Sequence, residues 1–294
     1  SSEIAKTIDK VIEKAGGTIL ISAEVDKIII KNNKAVGVQM KDGKTFTAKN
    51  IISGAGIMTT YNKLIPSDIA EKHQLKQQLQ TVKRSVSHAC LYIGLKGSPE
   101  ELKLPKTNYW IYPDNIDHDT AIDNYVHNLN ADFPVVYISF PSAKDPDWTN
   151  RYPGKSTIDI ITLLPYDGFK NWDGTKWMKR GEEYEALKEK ISKRLLEVLF
   201  KHIPQAKDKI EHYELSTPLT TKHFINYDEG EIYGLDHTPK RFRQKFLKPR
   251  TPIKNFYLTG QDVVTAGVAA ALFSGVITTS AMTGKNIIKK VMKG

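Results

Sequence analysis

The chain of 294 residues carries 43 Lys and Arg against 33 Asp and Glu, a net charge of +10, with 40% apolar and 26% charged residues. That length can bury a large core in two lobes, and the composition is that of an ordinary globular protein. The positive balance draws the chain toward anionic partners without choosing among phosphate, lipid headgroups and nucleic acid, while a single cysteine, Cys90, excludes an intramolecular disulfide framework and fits a reducing, cytoplasmic setting.

In chain order, SSEIAKTIDKVIEKAGG is an amphipathic helix with charges spread throughout, unlike a secretory signal. It opens inside a helix without an initiator Met, which reads as part of a longer protein. From Gly16 to Gly56 the pattern is three or four short strands in a meander, with turns at Asn32-Asn33 and Asp42-Gly43. The closing run NIIS is apolar enough to be a strand buried on both faces, as where a chain re-enters a parallel sheet.

That strand leads into SGAGIMTT, which invites comparison with a pyrophosphate-binding glycine loop. Gly54 and Gly56 fill two of the three glycine positions, but Thr59 stands at the third. The next strand, SVSHACLYIGL, ends without the acidic residue that would hold a ribose. The loop therefore needs another explanation.

From about Thr60 to Lys240 helices such as RGEEYEALKEKISKRLLEVLFKHI alternate with strands such as FPVVYISFPS and KSTIDIITLLP, marking a separate lobe. Asp114, Asp117, His118 and Asp119 lie in a turn-rich loop that lacks the glycine and distal Glu of a calcium site, so a solvated loop is expected. No two histidines stand at metal-ligand spacing on a helix, and no metal is expected. His88 and Cys90 share a strand face, but no third group completes a nucleophile and base pair; a core strand or the wall of an apolar cavity is the simpler reading. Thr238 to Lys254 interleaves bases with Phe242 and Phe246, yet no nucleic-acid motif accompanies it, so a solvated connector is expected and no nucleic-acid partner.

NFYLTGQDVVTAGVAAALFSGVITTSAMTG carries the chemistry. It reads as a strand from Phe256 to Thr259, a turn at Gly260, an acid at Asp262, and a helix of small residues opened by Gly267. Val263 to Met282 runs 20 residues without charge, enough to cross a bilayer, but its two glycines, three threonines and two serines favour a buried helix in a two-layer domain. A helix start offers free N–H groups and a positive dipole end, which suits the negative charge that builds on a flavin ring during hydride transfer. Gly267, Ala269 and Ala270 would let a flat ring lie on the backbone, and Asp262 could accept from a ribityl hydroxyl; a Gly/Ala helix packed tightly on a sheet is the plainer alternative.

This run resembles the C-terminal flavin motif of the amine-oxidase and phytoene-desaturase superfamily, and AGGTILISAEVDKIIIKNNKAVGVQMKDGKTFTAKNIISGAG is similar to its Gly-Gly strand, meander and return strand. STPLTTKHFINYDEGEIYGLDHTP, Ser216 to Pro239, resembles the Thr-Pro and Gly-x-x-Tyr-Gly block of retinol saturases, carotenoid isomerases and bacterial carotenoid desaturases. The resemblance implies an α/β and α+β fold: the remainder of an FAD-binding Rossmann-like domain without its N-terminal βαβ unit (1–60 and 241–294) and a mixed-sheet substrate domain (61–240). FAD is the implied cofactor, in the whole protein if not in this chain, with NAD(P) an open second. Val25, Gly54, Ala55, Gly260, Asp262, Gly267, Val268, Ala269 and Ala270 are the implied cofactor contacts. Thr217, Thr220 and Gly234 are implied substrate-lining residues, and Tyr233 is the candidate proton donor. The implied activity is saturation, desaturation or isomerisation of a long apolar polyene by hydride transfer at flavin N5, this portion alone being inactive. Such substrates dissolve in membranes, so the basic excess and the tail KNIIKKVMK suggest peripheral docking on anionic lipid. The rival is a non-catalytic module holding an apolar ligand or partner.

Overall fold

The computed structural model describes residues 2–293. They divide into two compact units, one formed by Ser1–Thr81 with Gln244–Gly294 and the other by Val82–Arg243. The strands are β1 (Val25–Lys31), β2 (Lys34–Met40), β3 (Thr45–Thr47), β4 (Ile51–Ser53), β5 (His88–Lys96), β6 (Tyr109–Ile111), β7 (Val136–Ser139), β8 (Lys155–Leu163), β9 (Ile210–Ser216) and β10 (Phe256–Leu258).

In the first unit β1, β2 and β3 form an antiparallel meander. Its first turn places Asn32 and Asn33 at φ of 50° and 59°, the pair of positive values that a two-residue hairpin matching strand twist demands and that Asn tolerates. β4 then pairs parallel with β10, about 200 residues away, in the register Ile51 to Phe256 and Ser53 to Leu258. The Gly-Gly strand implied by the resemblance does not form after Gly16 and Gly17: residues 18–22 are in no strand, and Ile19, Leu20 and Ile21 are exposed. β4 is likewise not buried on both faces, since Ile52 is 47% exposed.

The uncharged helix spans Val268–Thr283 and is not the buried helix expected from its composition. Ser274 and Thr278, four apart, are its buried residues. Ser274 Oγ accepts from the Gly260 amide at 2.7 Å, and Thr278 Oγ1 donates to the Leu258 carbonyl at 2.9 Å. Short hydroxyls thus dock the helix on β10, while Val268, Leu272 and Phe273 face outward. Among the described residues no helix is long and apolar enough to cross a membrane.

The second unit is built on a five-stranded sheet ordered β6-β7-β8-β5-β9. Every pairing in it is antiparallel, in place of the mixed sheet expected. Alternation decides which face is core: Ala89, Leu91, Ile93 and Leu95 of β5 and Ile158 and Ile160 of β8 belong to one buried cluster. The helix Glu182–His202 covers that face through Tyr184, Ile191, Leu195 and Leu199, at helical spacing. Glu182, Glu183 and Glu185 in its first turn and Lys201 and His202 in its last complement the helix dipole.

The 238–254 connector is only partly solvated: Arg241, Leu247 and Ile253 are buried, whereas Phe242 stays exposed. Asp117 N-caps the helix His118–His127 by accepting from the Thr120 amide at 3.0 Å. Among the described residues no group of acidic, His or Cys side chains could hold a metal ion.

Candidate functional site

Two places gather the candidate site residues, one in each unit. In the first unit the carboxyl ends of the parallel strands β4 and β10 meet two glycine turns, the location where open α/β sheets gather ligands. Beyond β4, Gly54 and Ala55 are exposed, and Gly56 turns the chain at φ 78° into a short helical turn, Ile57–Thr59. Beyond β10, Gly260 turns at φ 98° and Gly267 at φ 99° with ψ 165°, a region open essentially to glycine. Asp262, buried, ties the two turns together: its Oδ2 accepts from the Ile57 amide at 2.7 Å. The carboxylate read from the sequence as a ribityl partner thus has a bond that orders the site's own backbone.

Gly267, Val268 and Ala269 are exposed, Ala270 is half-buried, and a Cβ built on Gly267 would meet nothing within 4 Å. The first intrahelical bond runs from the Ala271 amide to the Gly267 carbonyl at 3.0 Å, so the amides of Val268, Ala269 and Ala270 precede it. Open main chain at a helix start fits a group that is flat or bears phosphate, and the exposed Gly54 lies against the Gly260 turn that leads toward it. Val25 is the first residue of β1 in the three-stranded sheet.

In the second unit Thr217 and Thr220 form a capping box that opens the helix Pro218–Ile225, with Pro218 at its first position. Thr217 is fully buried and its Oγ1 lies 2.7 Å from Tyr184 Oη. Tyr233 is 46% exposed, and its amide donates to Ser85 Oγ at 2.9 Å. Gly234 is buried at φ 67° and accepts from the Ser85 amide at 2.8 Å.

A cavity of about 900 Å³ opens in this unit, lined by His88 and Tyr92 of β5, Ser216 at the end of β9, Thr220 and Phe224 of the following helix, and Arg180. It takes in Thr220 from the expected residues but not Thr217, Tyr233 or Gly234. His88 is therefore a cavity wall, and burial lowers its pKa, favouring the neutral ring. Cys90 is buried, and desolvation pushes its thiol up to about 12, far from a reactive thiolate. Sequence reading missed Trp177 and Arg180, whose only local sign is the run WMKRG before an acidic helix start, and gave no role to Phe224, which lies within the block Ser216 to Pro239.

No family model matches the chain. It is 36% identical over 298 residues to the all-trans-retinol 13,14-reductase of Danio rerio, covering 98% of this chain and 49% of that one. It is 29% identical to the chloroplastic prolycopene isomerase of Arabidopsis thaliana, covering 93% of this chain and 43% of that one. The chain thus spans about half the length of the curated relatives it matches. A crystal structure of an oxidoreductase from Methanosarcina mazei shares its fold at a TM-score of 0.54 and 19% identity, covering 94% of this chain and 52% of that one. The resemblance read from the three sequence blocks is borne out: the chain is related over nearly its whole length to all-trans-retinol 13,14-reductases, with prolycopene isomerases further off.

Proposed function

We propose that the chain is part of an FAD-dependent oxidoreductase acting on carbon–carbon double bonds of a long apolar polyene, and that the whole protein completes the first unit with a βαβ element. The carrying observation is the unfinished layer around β4 and β10. A two-stranded parallel sheet does not stand alone, because parallel strands are normally covered on both faces. Here Ile52 is exposed, Ile19 to Ile21 are unpaired and exposed, and the helix Val268–Thr283 turns Leu272 and Phe273 outward. An added strand and helix would bury these same groups. Relatives about twice as long support that reading.

Within it, the amides of Val268, Ala269 and Ala270 and the exposed backbone at Gly54 and Ala55 would hold FAD, with Asp262 fixing the turns that present them. When bound, the flavin supplies hydride transfer at its N5. The chain's contribution is to orient the group, place a positive dipole end against its growing negative charge, and leave room for a flat ring at Gly267. Nothing in the site or in the relatives' names supports NAD(P), and it forms no part of the proposal.

The test compares flavin content of this chain with that of a version extended upstream to its relatives' length, beside Gly267→Val in the extended version. Most FAD affinity comes from pyrophosphate contacts of the added unit, so this chain purifies colourless and the extended one retains stoichiometric flavin. The valine meets no neighbour but is strained at φ 99°, at a cost of about 1–3 kcal/mol, and lowers flavin retained per folded molecule. An extended protein that folds without flavin, or a variant that melts lower yet keeps its flavin, refutes the assignment.

A further inference from the structure

The cavity of the second unit has a chemistry that the flavin reading does not use. Its rim is apolar and open: Trp177, Met178, Phe224 and Ile225 are all exposed. Exposed apolar clusters of this kind mark binding surfaces. Inside, two nitrogen-bearing groups have unmet hydrogen-bonding capacity. Arg180 Nη1 and His88 Nδ1 are both buried without a partner.

Arg180 is held but not neutralised. Its Nη2 donates to the Leu219 carbonyl at 3.3 Å, and its Cζ sits 5.3 Å from the centre of the Tyr184 ring. Two carboxylates also line the cavity, Glu185 and Glu214, but Lys188 takes both, at 3.4 and 2.6 Å. A guanidinium stays charged at any physiological pH and presents a planar fork matched to a carboxylate. Leaving one of its N–H groups buried and unpaired is costly, so the arrangement is explained by a ligand that brings its own anion. The aromatic and aliphatic rim requires that ligand to be otherwise apolar.

We propose that this cavity binds a long-chain apolar carboxylate, its chain lying on Trp177, Phe224 and Ile225 and its carboxylate paired with Arg180 beside His88. All these residues belong to one unit, so the proposal stands independently of flavin binding and names a charged end group that the polyene reading does not require.

The full chain is titrated with oleate and with oleyl alcohol, each below its aggregation concentration, and with inorganic phosphate, following tryptophan fluorescence. Oleate binds at least about tenfold more tightly than the alcohol, as a charge-assisted hydrogen bond warrants, and phosphate alone binds far more weakly than oleate. Arg180→Gln loses that preference by weakening oleate while leaving the alcohol unchanged; Arg180→Lys retains part of it. Phe224→Asp, on the exposed rim where folding tolerates it, weakens both ligands and serves if the arginine variants do not fold. Equal affinity for oleate and the alcohol overturns the proposal, as does wild-type oleate binding by Arg180→Gln or phosphate binding as tight as oleate.

Discussion

Thr217 separates a structural from a substrate-contacting role. The resemblance implies that it lines the substrate, whereas the structure buries it completely beneath the helix it caps. Thr217→Val keeps the shape and removes the hydroxyl. The loss has two parts. Removing the capping-box oxygen, which accepts from the backbone amide of Thr220 at the third helical position, costs about 0.5–2 kcal/mol. Breaking the 2.7 Å contact with Tyr184, itself only 4% exposed, strands a buried phenol hydroxyl at about 1–3 kcal/mol. Together the substitution destabilises by about 1.5–5 kcal/mol. Urea unfolding reads this as a lower midpoint with an unchanged slope. Tyr184→Phe removes the other half of the contact, so the double variant loses less than the sum of the singles, by about 1 kcal/mol. Oleate binding by the folded variant stays normal, because Thr217 does not line the cavity. A loss under about 0.5 kcal/mol, or impaired ligand binding without lost stability, refutes the structural role.

Burial pushes Glu231 above the ordinary carboxylate range even though Arg84 Nε lies 3.7 Å away. Its contribution to stability is therefore fully present below its unfolded pKa and lost as pH rises through the raised folded value. Arg84 also bonds Asp228 and Glu229, so Arg84→Met costs on the order of 3 kcal/mol at neutral pH, a deficit that shrinks in urea unfolding as pH falls through the raised folded value of Glu231; a pH-independent deficit contradicts this. With a net charge of +10 and Lys285, Lys289, Lys290 and Lys293 exposed, the chain binds anionic vesicles better than neutral ones and releases them as salt shortens the screening length from about 10 Å at 0.1 M to about 3 Å at 1 M; equal partitioning removes the electrostatic argument.

What the sequence disclosed was local. Asn32-Asn33 announces its hairpin because positive φ has few tolerant residues, and the period of Tyr184, Ile191 and Leu195 reveals the covered helix face. Gly260 and Gly267 could be recognised as turns for the same conformational reason. Hidden from it was everything that depends on a partner elsewhere in the chain. Asp262 is spoken for by Ile57, 205 residues away. Arg241 belongs to a run of bases that reads as solvated, yet it is buried. Arg180 lacks a carboxylate partner because Lys188, eight residues on, pairs with both Glu185 and Glu214, the second from a distant strand. The helix Val268–Thr283 misled because its buried side is its hydroxyl-bearing side, the reverse of ordinary amphipathic logic.

The same reversal distinguishes the two units physically. The second unit's strands, apart from β6 and β9 at its margins, each have neighbours on both sides, and its covered face is closed by the helix Glu182–His202. Antiparallel pairing and contiguous sequence let that unit satisfy its own backbone and bury its own apolar groups. The first unit joins two segments that flank the whole of the second, and its parallel pair β4 and β10 cannot be closed by a hairpin. Parallel strands this short gain little from pairing alone and depend on layers above and below. Exposed Ile52, Leu272 and Phe273 are the surfaces such layers would cover, and they lie on the strand and helix that present the glycine turns at Gly54 and Gly267. Covering the sheet and ordering the glycine turns are therefore one structural requirement, since whatever buries β4 also fixes the strand end from which Gly54 and Ala55 project.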